Sequence, residues 1–146
     1  MSGSKGAGML AKRRSISLNG TEIERTPLLV PSFSSKGFPE VSKIIETTEQ
    51  VIEGPILVSA FDLHYKEISP PFDFSPLIFL DSGGYEASKS AELSDFGEHD
   101  HRPQKWTQDM HEKVLAGRKP SVPTVLISYD HPAERIPVPR FGMRES

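Results

Sequence analysis

The 146-residue sequence contains no cysteine, so neither a disulfide nor a cysteine-ligated zinc site can form within it. No apolar stretch approaches the ~20 residues that a membrane-spanning helix needs. An excess charge of one sign is also missing. Against 17 Lys and Arg stand 20 Asp and Glu, a formal net charge of −3, which excludes a chain-wide basic surface for nucleic acid. The first residues, Met1 to Ser17, lack the apolar core of a secretory signal, and the expected location is the cytoplasm.

What remains is the length of one ordinary domain, well short of a complete (β/α)8 barrel of about 250 residues. Residues 1–17 are polar and Gly-rich without periodicity and read as a flexible leader. Leu28 to Val30, closed by Pro31, is the first strand candidate. Val41, Ile44, Ile45, Val51 and Ile52 recur at helical spacing, and Gly54-Pro55 stops that helix before a strand over Ile56 to Phe61. Strand, helix and strand in this order make a βαβ unit and imply a parallel pair. The segment from Lys66 to Pro76 carries Pro70, Pro71 and Pro76 and is a loop. A buried strand over Leu77 to Leu80 follows. Glu86 to Lys105 is rich in charge and reads as a surface excursion. Trp106, Met110 and Val114 then step along a second helix, with Thr107 as N-cap and Gly117 as stop, before a strand over Thr124 to Tyr129. Residues 133–146 are a Pro-rich tail. The expected fold is α/β, parallel strands joined by helices.

Two carboxylates stand out. Asp81 and Asp130 each directly follow an apolar run, so parallel strands would deliver both to the carboxyl edge of the sheet, where such folds place their chemistry. Behind Asp81 come Ser82, Gly83, Gly84 and Tyr85: a bare backbone that a ligand can approach, then a ring that can stack on a planar one. Two carboxylates of different burial can divide labour, one ionised while the other gives or takes a proton.

Leu80-Asp81-Ser82-Gly83-Gly84-Tyr85 resembles the Asp-Ser-Gly-Gly-Phe/Tyr-Gln signature of the tRNA-guanine transglycosylases. Upstream, Arg25-Thr26-Pro27-Leu28-Leu29-Val30-Pro31 with Lys36-Gly37 is similar to that family's opening strand, and Val125 to Asp130 to a later one. The similarity runs over residues 18–132 and implies the first part of a (β/α)8 barrel, incomplete within this chain. It also implies exchange of guanine for a 7-deazaguanine-type base in tRNA. By resemblance, Asp81 is the acid/base at the exchanged purine, Ser82 helps to hold the heterocycle, Tyr85 stacks on it, and Asp130 accepts from its amino and ring nitrogen edge. The family's nucleophilic aspartate and its Cys3His zinc site have no counterpart here, so no cofactor is expected in this chain. Glu86 stands where the family has Gln, and Ser59-Ala60-Phe61-Asp62 departs from the family's pattern.

Two further readings stay open. The family includes non-catalytic subunits that pair with a catalytic homologue, and a base pocket without a nucleophile fits such a role. His99-Asp100-His101, with His64, His131 and Asp130, would instead suit a metal-dependent hydrolase, although a solvated loop explains the pair of histidines as well.

Overall fold

The computed structural model describes residues 12–88 and 105–130. The first element is a hairpin. Strand β1 (Arg14–Leu18) pairs antiparallel with β2 (Thr21–Thr26), and Asn19 and Gly20 turn the chain with φ of 50° and 80°. Positive φ at both central residues is the turn that matches strand twist, and Asn-Gly is its preferred sequence. Arg14 to Ser17, placed in the leader by the sequence reading, are therefore strand.

Leu28 to Val30 are not a strand. Leu29 is 92% exposed, and pairing starts only at Pro31 to Phe33. There Leu57 N–H donates to Pro31 O (2.9 Å) and Phe33 N–H to Leu57 O (3.0 Å), with Ser32 bridging Leu57 in parallel. Pro31 has no N–H to give, so it contributes only its carbonyl to this edge. The main sheet consists of β3 (Ile56–Ser59), β4 (Ile78–Asp81) and β5 (Thr124–Leu126), in the order β3-β4-β5 and parallel throughout. The α/β class with a parallel sheet thus holds for the described residues.

Helix α1 (Val41–Thr48) buries Val41 and Ile45, one turn apart, and leaves Val51, 76% exposed, beyond its end. The strand expected over Ile56 to Phe61 stops at Ser59. Ser59 Oγ accepts from Asp62 N–H (3.1 Å), which caps a short helix α2 (Ala60–His64). After β4, Gly83 at φ +88° starts another short helix, α3 (Gly84–Ala87), whose last two residues fall in the stretch expected to be a surface excursion. Glu86 and Ala87 are buried, whereas residues 89–104 lie outside the described residues, as does the tail from 131. Helix α4 (Gln108–Ala116) begins where expected: Thr107 Oγ1 accepts from Met110 N–H (3.3 Å), and Trp106 is 5% exposed in the core. Strand β5 is shorter than expected, although Ile127 N–H still donates to Leu80 O (3.0 Å).

The core lies between the sheet and its helices. Ile56, Val58, Ile78 and Leu80 meet Val41 and Ile45 of α1, Phe61 of α2 and Trp106. Each such side chain contributes roughly 1.5–3 kcal/mol on burial. At the carboxyl edge, α2 and α3 start within a few residues of the ends of β3 and β4.

Candidate functional site

Four chain segments converge on the carboxyl edge of the parallel sheet. The segment after Phe33 brings Ser34, Ser35 and Lys36, β3 brings Ser59 and Asp62, β4 brings Asp81 to Glu86, and β5 leads to Asp130. The register pairs Ser59 with Asp81 and Leu80 with Leu126, so Asp81 and the residues following β5 leave the sheet on the same side.

Asp130 comes to rest against Gly84. A β-carbon on Gly84 would lie 3.1 Å from Asp130 O and 3.4 Å from its carboxylate Oδ2, tighter than most such contacts. Gly84 thus gives the Asp130 carboxylate room beside the turn that follows Asp81. Gly83 serves a different purpose. A β-carbon there would sit 2.5 Å from Phe61 Cβ and 3.2 Å from Trp106 Nε1, so its bare backbone accommodates α2 rather than an incoming ligand. Trp106 Nε1 donates to Ser82 O (2.8 Å), and Ser82 Oγ accepts from Gly84 N–H (3.4 Å) in a turn from which Ser82 is 2% exposed. Tyr129 OH donates to Trp106 O (3.3 Å), tying the segment before Asp130 to the same indole.

Tyr85 is 37% exposed, with the Lys36 ammonium 4.4 Å from its ring centroid. Lys36 is itself buried. Its Nζ donates to Tyr85 O (3.1 Å) and Ser88 Oγ (2.8 Å), which pins the start and end of α3 to the segment after Phe33. One cation therefore sets both the backbone and the ring of the residue expected to stack on a ligand.

Two buried carboxyl groups stand behind this edge. Asp62 is fully buried and accepts from Ser35 N–H (3.0 Å) and from the Ser35 hydroxyl. Burial pushes its pKa up to about 6, the Ser35 bonds oppose that, and the negative charge of Glu86 adds to it. Burial likewise pushes Glu86 up, with the Asp81 carboxylate acting in the same direction and hydrogen bonds from Ser34 and Ser59 opposing. Asp81, half-buried at the end of β4, thus lies in front of groups that hold protons more firmly than ordinary carboxylates. Asp62, Glu86 and Lys36 were not singled out as site residues from the sequence. For Asp62 a signal existed: Ser59 followed three residues later by an acid marks a helix start.

The expected metal constellation falls largely outside the described residues, which exclude His99, His101 and His131. Among the described residues, no three His, Cys, Asp or Glu side chains gather as a metal-ligand group. His64 packs its ring against Tyr65 and Trp106. No helix among the described residues is long and apolar enough to cross a membrane.

No protein-family model, curated protein or solved structure matches the chain.

Proposed function

We propose that the carboxyl edge binds a planar purine-type base and serves base exchange of the tRNA-guanine transglycosylase kind. The observation that carries this reading is the placement of Asp81 and Asp130 after neighbouring parallel strands, with the Gly84 backbone against the Asp130 carboxylate. A carboxylate beside a glycine turn offers two in-plane acceptors to the amino and ring N–H of a guanine edge. Asp81 would exchange a proton with the departing or incoming base. Gly84 would border the ring, and Tyr85 would stack on it. The polymer partner would be tRNA and the small partner guanine or a 7-deazaguanine, encountered in the cytoplasm. Exchange also needs a nucleophile at the ribose, for which the sequence offers no candidate, and a base removed from its stack.

The test is equilibrium binding of guanine and 7-deazaguanine to the full chain. Asp130→Asn should weaken binding more than Tyr85→Ala, because the amide turns an acceptor into a donor facing a donor. Equal affinity of wild type and Asp130→Asn would remove Asp130 from base recognition.

A non-catalytic subunit is the second reading, favoured by the outer side of β5. Among the described residues β5 pairs with β4 alone, and Val125 and Leu126 are 38% and 50% exposed. An uncovered edge of this kind is a template for another chain. Co-purification with a longer homologue, and base exchange only in its presence, would separate this role from independent catalysis.

A further inference from the structure

A cavity of about 440 Å3 opens between α2, α4 and the sheet, and none of the residues of the carboxyl-edge site lines it. Its volume falls within the ~300–1,000 Å3 of small-molecule sites. The floor is hydrocarbon: Val58, Ile78 and Leu80 from the strands, Leu63 from α2, Phe72, and Val114 from α4. The rim is cationic. Lys113, Arg118 and Lys119 all border the opening.

Arg118 is the informative member. It is half-buried, and lost hydration pulls its pKa down from the usual value. Its Nη2 donates to Thr124 Oγ1 (2.7 Å), and the Thr124 hydroxyl donates onward to Val122 O (2.9 Å). That chain of bonds holds the guanidinium in place beside the cavity. Neither of the two ion pairs among the described residues, Arg25–Glu22 and Lys43–Glu40, involves it. A guanidinium has five N–H donors in a rigid fork, and a partly desolvated one without a carboxylate gains strongly from an anion. Ser121, also on the rim, is engaged with Asp73 and offers its hydroxyl there.

We infer that this cavity binds a medium-chain amphiphilic carboxylate, its chain on the apolar floor and its head group on Arg118. The floor offers no hydrogen-bonding side chain for a sugar or a heterocycle, which argues against a nucleotide. A neutral hydrocarbon would leave three rim cations unused. The single anionic head on an apolar body matches both halves of the site, and the carboxylate fits the guanidinium fork in a bidentate manner.

The test titrates the full chain with octanoate and, as its uncharged counterpart, octan-1-ol, followed by calorimetry or NMR shifts. Octanoate should bind at least tenfold more tightly, since a hydrogen-bonded charge pair is worth about that factor or more. Arg118→Met should erase this advantage and leave octan-1-ol unaffected. Val114→Trp, which fills the cavity, should abolish both. Absence of binding, or equal affinity of wild type for acid and alcohol, would overturn the inference. So would an Arg118→Met protein that binds octanoate as well as wild type and loses only thermal stability, because Arg118 would then merely offset the carboxyl end of α4. Should Val114→Trp fail to fold by circular dichroism, the comparison of octanoate with octan-1-ol across Arg118→Met decides alone.

Discussion

Ser35 holds Asp62 by both carboxylate oxygens, its N–H donating to Oδ2 at 3.0 Å and its hydroxyl to Oδ1. The pair joins the segment beyond Phe33 to α2 across the carboxyl edge. It does so with a fully buried acid that neither ion pair among the described residues involves. Hydrogen bonds satisfy the oxygens but do not replace the lost hydration of a full charge.

A pH-dependent stability follows. Because the Asp62 pKa rises from 3.8 to about 6 on folding, the native state binds this proton more tightly than the unfolded chain. The associated stabilisation is complete below about pH 4 and disappears as pH rises through about 6. At about 1.36 kcal/mol per pKa unit, folding should be ~3 kcal/mol less favourable at pH 7 than at pH 3 from this group alone. Glu86, also raised, adds a slope of the same sign. Asp62→Asn keeps an acceptor for Ser35 N–H and can donate to the Ser35 hydroxyl. It should therefore be more stable than wild type above pH 7 and show a flatter profile. Urea denaturation at pH 4 and pH 8 measures this, and an unchanged slope would show that Asp62 is not the buried acid responsible.

Gly20 and Gly83, both with positive φ, should respond differently to alanine. At Gly20, φ +80°, a β-carbon meets nothing within 4 Å, so only backbone strain opposes it, about 1–2 kcal/mol. At Gly83, φ +88°, the same carbon would also collide with Phe61 at 2.5 Å. Gly83→Ala should cost roughly 2–5 kcal/mol, a large share of a typical domain's stability. Thermal melts of both variants test the ranking, and equal losses would mean that α2 yields freely at Phe61.

Lys36 should matter to the proposed base pocket. Its ammonium holds α3 through Tyr85 O and Ser88 and sits over the Tyr85 ring. Lys36→Met retains the apolar stem but removes these bonds, so guanine affinity should fall by a factor of ten or more, at 1.5–3 kcal/mol for charged hydrogen bonds. In a Tyr85→Ala background the further loss should be smaller, since the ring to be positioned is gone. Full additivity of the two substitutions would separate Lys36 from Tyr85.

The placement of the candidate site was legible where local pattern and tertiary placement agree. An apolar run ending in Asp marks a strand end: Asp81 closes β4, and Asp130 lies four residues past the end of β5. Thr107 was legible as a cap because its hydroxyl acts within its own turn. Ser59 carries the same kind of signal with Asp62 three residues on, but Ala60 and Phe61 extend the apolar run of β3 and mask the cap that bends the chain into α2. The hairpin of β1 and β2 escaped notice for a related reason: most of its residues are exposed, so its hydrophobic alternation is faint and only Asn19-Gly20 marks it. The burial of Asp62, Glu86 and Lys36 arises from segments far apart in sequence. Periodicity reports which face of one element is apolar, and carries no information on charges that other elements enclose.

The chain alone should fail to exchange bases. The reaction needs an acid/base for the leaving purine, a nucleophile to hold the ribose, and cations to seat the polynucleotide. On the proposed reading, Asp81 would supply the first need and Asp130 part of the pocket. For the second the sequence offers no aspartate in a matching context. For the third, a formal charge of −3 is unfavourable, because polynucleotide affinity depends chiefly on cationic contacts to phosphate. The side of β5 that pairs with no strand among the described residues, with Leu126 half-exposed, is where a second polypeptide would continue the sheet. Purified protein incubated with labelled guanine and tRNA should therefore leave the label in solution, and activity should appear only when a homologous polypeptide is added. Steady incorporation by the purified monomer, lost in Asp81→Ala, would instead place a complete exchange site within these 146 residues.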